Sequence, residues 1–159
     1  MRDRQLLRSA IAEALAAVRH GDEGEAMLMF ERLAGSSWRT LRDTVMELAE
    51  ANFEMLLTMT GSDRDDDRVI SLADEQGEVR SVDDLDPAQR TATRVLLALA
   101  ADRPQDARTQ MEIAAEAEDP EVPGRVLAHT VTWTLEMVET CETAGEPVPH
   151  WLLPALADR

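Results

Sequence analysis

One pattern in this chain occurs twice. Glu25-Ala26 followed by Phe30-Glu31 returns as Asp106-Ala107 followed by Met111-Glu112, with the same internal spacing. Each copy follows a short turn, His20-Gly21-Asp22 in one case and Asp102-Arg103-Pro104 in the other, that closes an Ala/Leu-rich segment. Each precedes a longer segment with a Thr-Val pair and a Glu five residues after the Val: Thr44-Val45 with Glu50, then Thr130-Val131 with Glu136. A helical unit of this size cannot bury its apolar face alone, so a duplicated one predicts stacked helices sharing a core.

Composition agrees with that class. The chain of 159 residues has three Trp, two Phe and no Tyr, so its core must be built from Leu, Val, Ala and Met. Such a core suits close-packed helices better than a sandwich, whose strands favour β-branched and aromatic residues. The formal net charge is −16. That argues against direct binding to nucleic acid or an anionic membrane, both of which require basic patches. It is compatible with a basic protein partner. Every cation is Arg and none is Lys, as expected of a GC-rich genome or, second, a halophile. The single Cys141 has no internal disulfide partner, which fits a reducing cytoplasm. The N-terminal apolar segment is interrupted by Arg8 and Glu13 and does not have the form of a signal peptide. No apolar run approaches membrane-spanning length.

Periodicity and punctuation predict six main helices. Leu7, Ile11, Ala14, Leu15 and Val18 form a helical stripe that Gly21 stops. A second helix is expected from Glu23 to Ala34, and a long third from Trp38 to Met59, capped by Ser36 or Ser37 and ended by Gly61. Asp86-Pro87 opens the fourth and Pro104 the fifth, which Asp119-Pro120 is expected to break. The sixth runs from Val122 to Thr143, before Gly145 and an apolar tail beginning at Trp151. Between the third and fourth helices the pattern changes. Val69 to Leu72 and Val79 to Val82, around Asp74-Glu75-Gln76-Gly77, predict a β-hairpin. The expected architecture is one mostly α domain over 1–159: a six-helix bundle or short helical-repeat array of two three-helix units, 4–60 and 87–145. A hairpin insert at 62–86 separates the units and a tail at 146–159 follows them.

The paired short helices carry Ala26 with Phe30 and Ala107 with Met111, a small residue at the crossing and a large apolar one a turn later. In this they resemble tetratricopeptide-type repeats over about half of the chain. The first helix lacks that family's Trp and Tyr, and the long third helix of each unit departs from its pattern. The resemblance implies a concave groove that binds a peptide or protein.

Three constellations are candidate sites. Asp63, Asp65 and Asp67, with Asp74 downstream, place carboxylates at alternate positions, as a calcium loop does. Arg68 stands where such a loop turns on Gly, and Asp74 stands in place of the bidentate Glu, so a solvated acidic loop is the simpler reading. Glu47, Glu50 and Glu54 share one side of the third helix, and Glu136, Glu139 and Glu142 one side of the sixth. Carboxylates on facing helices can hold magnesium or a di-metal centre, and the spacing is similar to that of all-helical nucleotide pyrophosphohydrolases. No Glu-x-x-His motif accompanies them, and exposed Glu at this spacing is common on any helix. His20, His129 and His150 are far apart in sequence, and Cys141 has no nearby His. No Gly-rich phosphate loop or hydrolase elbow is present.

The expected function is therefore a non-enzymatic, cytoplasmic protein-interaction module without cofactor: an adaptor, chaperone or regulatory subunit. Its rivals are a metal-dependent helical nucleotide hydrolase using the two Glu rows, and an acidic mimic of nucleic acid. A homodimer is expected through the hairpin, whose edges are unpaired, or through the apolar tail from Trp151.

Overall fold

The computed structural model describes residues 1–63, 72–73 and 76–156, and it is mostly helical. The helices are α1 (Arg2–Arg19), α2 (Glu23–Ser36), α3 (Trp38–Thr60), α4 (Pro87–Ala100), α5 (Pro104–Ala115), α6 (Val122–Ala144) and a single turn, α7 (Leu153–Leu156). Between α3 and α4, β1 (Leu72–Ala73) pairs antiparallel with β2 (Val79–Arg80), Leu72 opposite Arg80 and Ala73 opposite Val79. Among the described residues no helix is long and apolar enough to cross a membrane.

The helix boundaries follow local chemistry. Asp22 accepts a hydrogen bond from the Glu25 N–H at the start of α2, and Ser37 accepts one from Thr40 N–H at the start of α3. Asp86 accepts from Ala88 and Gln89 ahead of α4, with Pro87 in the first turn. Each cap satisfies donors that the helix itself cannot. Gly61 and Gly145 close α3 and α6 in the left-handed region at φ 65° and 70°, returning N–H groups to the last carbonyls.

Two boundaries differ from expectation. Helix α5 ends at Ala115 rather than at Asp119-Pro120. The intervening segment carries Glu116, Glu118 and Asp119, and negative charge at the carbonyl end of a helix opposes its dipole. Val82, expected in the second strand, lies in a 3-10 turn over Val82–Asp84. There the Ser81 hydroxyl accepts from Asp83 N–H, and Arg90 of α4 donates to the carbonyls of Asp83 and Leu85. Those bonds draw the chain down onto α4 and away from the strand. Gly77 has the positive φ expected of it, 79°. Val79 on β2 is 74% exposed. The earlier part of the expected first strand, from Val69 to Ser71, lies outside the described residues.

One core runs through the helices. Ile11 and Leu15 of α1, Val45, Leu48 and Met55 of α3, Val95 of α4, Met111 of α5 and Val126 and Val138 of α6 are all buried within it. Helix α3 packs against α2, α4 and α6, while α4 packs against α5 and α6. The C-terminal tail lies on α1, with Leu152 and Ala155 buried in the shared core. Arg19 fastens that end of the molecule by donating to the Ala155 carbonyl and to Glu142 of α6. Polar groups in the core include Thr44, Thr130 and Thr134, all buried. Each donates its hydroxyl to the carbonyl four residues earlier in its own helix: Thr44 to Thr40, Thr130 to Val126, Thr134 to Thr130.

Candidate functional site

The structure distributes the sequence-predicted carboxylates over separate places. Glu47 sits in a cleft of about 490 Å3 between α1, α3 and the start of α5, lined also by Arg4, Arg42, Asp43, Glu50 and Arg108. It is held by two cations from α1: Arg4 donates to its Oε1 at 2.5 Å and Arg8 to its Oε2 at 2.6 Å. Both oxygens of the carboxylate are engaged, and its side chain is only 12% exposed. Its chemistry here is that of a clamp tying α1 to α3, because charge-assisted bonds to a partly buried carboxylate are stronger than surface pairs.

Glu54 and Glu139 are exposed on α3 and α6. Glu142 pairs with Arg19 at 2.7 Å, and Glu136 stands at a different cleft, described below. Asp63 is exposed just beyond α3. Asp65 and Asp67 lie outside the described residues. Among the described residues no group of three or more His, Cys, Asp or Glu side chains is gathered so as to hold a metal ion. His20 and His150 are exposed, and Cys141 is buried. Burial, with Glu146 adding to it, pushes the Cys141 thiol above its ordinary pKa, away from the thiolate form that a nucleophile requires.

Two features were not singled out from sequence. Beside the tail, the Arg8 guanidinium lies 5.3 Å from the centre of the Trp151 ring, a cation–π geometry, in a broad depression that also borders Glu13 and His150. The second feature is a cleft of about 270 Å3 between α3, α4 and α6. Leu56, Leu96, Trp133 and Met137 give it apolar walls, and Glu136 and Thr140 are exposed at its edge. Asn52 also lines it, 3% exposed, and neither Nδ2 nor Oδ1 of Asn52 has a hydrogen-bond partner. In the sequence Asn52 is one polar residue on a helical stripe. Only the packing of α4 and α6 around it reveals an amide without a partner. Comparison of the chain with protein families, with curated proteins and with solved structures finds no match in any of the three.

Proposed function

We propose that this chain is a non-enzymatic protein-interaction module, an adaptor, chaperone or regulatory subunit. Helix α2 is the observation that carries the reading. It holds Met27, Leu28, Met29, Phe30 and Leu33, yet its one buried residue is Ala26. Met27 and Leu28 are 63% and 55% exposed. Two large apolar side chains side by side on an outer helix gain about 25 cal/mol for each Å2 that a partner covers, and Met adapts readily to the shape of what covers it. Leu6 on α1 and Ile113 on α5 are exposed as well. The acidic chain favours a partner with basic character.

The test is affinity capture from the source cell, comparing the wild type with a Met27→Glu, Leu28→Glu variant. A defined partner retained by the wild type and lost by the variant is expected; equal retention by both refutes the use of α2. Calorimetry with magnesium, manganese and nucleoside triphosphates separates this reading from the hydrolase. Micromolar binding that Glu50→Gln abolishes would overturn the adaptor.

The finer architecture belongs to the same proposal: two three-helix units, 4–60 and 87–145, derived from one ancestral unit. Three correspondences support it. At the first turn, His20, Gly21 and Asp22 donate to Ala16, Val18 and Ala17; at the second, Ala101, Asp102 and Arg103 donate to Leu97, Leu99 and Ala98. At the ends of the long helices, Gly61 and Ser62 donate to Thr58 and Leu57, as Gly145 and Glu146 donate to Glu142 and Cys141. The buried faces also correspond, at an alignment shifted by two residues from that of the helix ends: Leu41, Thr44, Leu48, Asn52 and Met55 on α3 against Leu127, Thr130, Thr134, Val138 and Cys141 on α6. A second copy of the chain remains a candidate partner through β2. The tail is the weaker contact for a dimer, because Leu152 and Ala155 are buried within their own chain.

A further inference from the structure

Helix α2 presents an outer face with a single apolar crest. At about 3.6 residues per turn, Gly24, Leu28 and Gly35 fall on one line, on the side opposite the buried Ala26. Leu28 is 55% exposed, and a Cβ at either glycine would meet nothing within 4 Å. Leu28 is thus the only side chain on that line, and the glycine backbone before and after it can be approached closely. One flank of the line carries Glu25 and Arg32, both exposed. Among the described residues neither forms an ion pair within its own chain. The other flank carries Met27, 63% exposed, and Glu31. We propose that this face is the contact of a homodimer, in which α2 of a second copy crosses antiparallel at Leu28. The inference rests on the reading of α2 as a docking surface and names its occupant.

The occupant follows from the order of the charges along the helix. Glu25 and Arg32 lie on either side of Leu28, at nearly equal distances along α2. A two-fold axis at the Leu28 contact, perpendicular to both helices, brings the same flank of each copy together and reverses its direction. Arg32 then comes level with the second copy's Glu25 to within one residue, about 1.5 Å along the axis, and symmetry makes the pair twice. On the other flank the two copies of Met27 come within about 3 Å of each other along the axis. The two copies of Glu31 stay about 9 Å apart, beyond the Debye length of about 8 Å at physiological salt. A parallel pair gives Glu25 no cation and sets like ends of two helix dipoles side by side. The long-range repulsion of two chains each carrying −16 is screened over the same Debye length, which leaves the charges at the contact to decide. Helix α2 has 14 residues, so the shared strip is about 21 Å long and about 10 Å wide. That is far below the roughly 800 Å2 per partner of a standard interface, and the dimer is a weak one, with a Kd of about 0.1–1 mM.

The experiment is sedimentation equilibrium of the full chain at physiological salt, from about 10 μM to about 1 mM protein, a range that reaches the expected Kd. The average mass should climb from one chain toward two; a mass of one chain throughout overturns the proposal. Glu25→Arg and Arg32→Glu each turn both ion pairs into repulsions and should weaken the dimer about tenfold or more. The double variant Glu25→Arg, Arg32→Glu restores opposite charges in the reversed order and should return to within about twofold of the wild type. Indifference to the single changes, or a double variant no stronger than either, overturns the antiparallel contact. Circular dichroism of all three should match the wild type, since both side chains are exposed. A second readout is independent of charge. Cys141 is buried, so a thiol placed on α2 is the accessible one. Mild oxidation should trap Leu28→Cys as a covalent dimer and leave Gly35→Cys monomeric, because its two copies lie about 21 Å apart along the axis. Trapping of Gly35→Cys as fast as Leu28→Cys overturns the proposal. A protein that stays monomeric yet loses a captured partner in the Met27→Glu, Leu28→Glu variant defeats self-pairing and leaves the protein-interaction reading standing. A dimer that passes the charge exchange while no other protein is captured through α2 upholds self-pairing and defeats the adaptor.

Discussion

Asp102 is the one non-glycine among the described residues with positive φ, 56°. It occupies the place in the α4–α5 turn that Gly21, at φ 76°, occupies in the α1–α2 turn. Replacing Asp102 by Gly should therefore stabilise the protein. The left-handed region costs an L-residue about 1–2 kcal/mol, with Asp at the tolerant end. A carboxylate just past the end of α4 adds about 0.3–1 kcal/mol of unfavourable interaction with the helix dipole. Against these gains stands the greater chain entropy that Gly loses on folding, about 0.5–1 kcal/mol. The net is about 1 kcal/mol in favour of Asp102→Gly, or a rise in Tm of about 2–4 °C for a chain of this size. The reverse change, Gly21→Asp, should cost a similar amount. A Cβ at Gly21 would meet nothing within 4 Å, so the loss would be conformational and electrostatic rather than steric. Urea and thermal unfolding of the two variants and of the double variant give the answer, and the double variant should return close to wild type, since separated sites add. Asp102→Asn isolates the charge, and its smaller gain should fade in about 1 M salt, where the Debye length is about 3 Å. A neutral or destabilising Asp102→Gly together with a harmless Gly21→Asp would refute the reasoning.

Other outcomes follow from the same contacts. Glu47→Ala should lower stability by about 1–3 kcal/mol in urea titrations, because Arg4 and Arg8 lose the carboxylate they share. Leu152→Ala should cost about 2–5 kcal/mol, since Leu152 is fully buried where the tail meets α1; a wild-type unfolding midpoint would show that the tail contributes nothing to the core. The backbone N–H of Glu121 and then the guanidinium of Arg125 hold the Asp119 carboxyl below its ordinary range. A depressed folded-state pKa stabilises above the unfolded value of about 3.9 and is lost as pH falls through the lower folded value. The stability gap between wild type and Asp119→Asn should accordingly close on acidification below about pH 4 in unfolding curves, and a gap independent of pH in that range would contradict the assignment.

The parts of the fold legible in the sequence are those set by neighbours along the chain. Asp22, Ser37, Asp86-Pro87, Gly61 and Gly145 mark helix ends because capping acts within a turn. The Ile11 and Leu15 stripe marks a buried face for the same reason. What was not legible depends on partners distant in sequence. Glu47 belonged to a row of carboxylates until Arg4 and Arg8 reached it from α1. Asn52 drew no notice on its helix until Leu96 and Trp133 closed around it. Val82 has strong strand preference, yet Arg90, further along the chain, holds the turn that contains it. Exposed apolar side chains at Met27 and Leu28 were likewise invisible, because periodicity marks an apolar face without saying what covers it.

The buried threonines bear on how this chain can change over generations. Thr44, Thr130 and Thr134 give their hydroxyl protons to their own helices, so the donor of each is satisfied without a matching group on another helix. Exchange of any one for valine gives up a local bond that itself weakens and bends a helix slightly, and leaves no orphaned donor or acceptor across the interface. Such sites can drift singly, with no compensating substitution elsewhere. Relatives of this protein should therefore show threonine and valine interchanging at these positions without correlated changes on the facing helix, whereas Glu47 should be lost only together with Arg4 and Arg8.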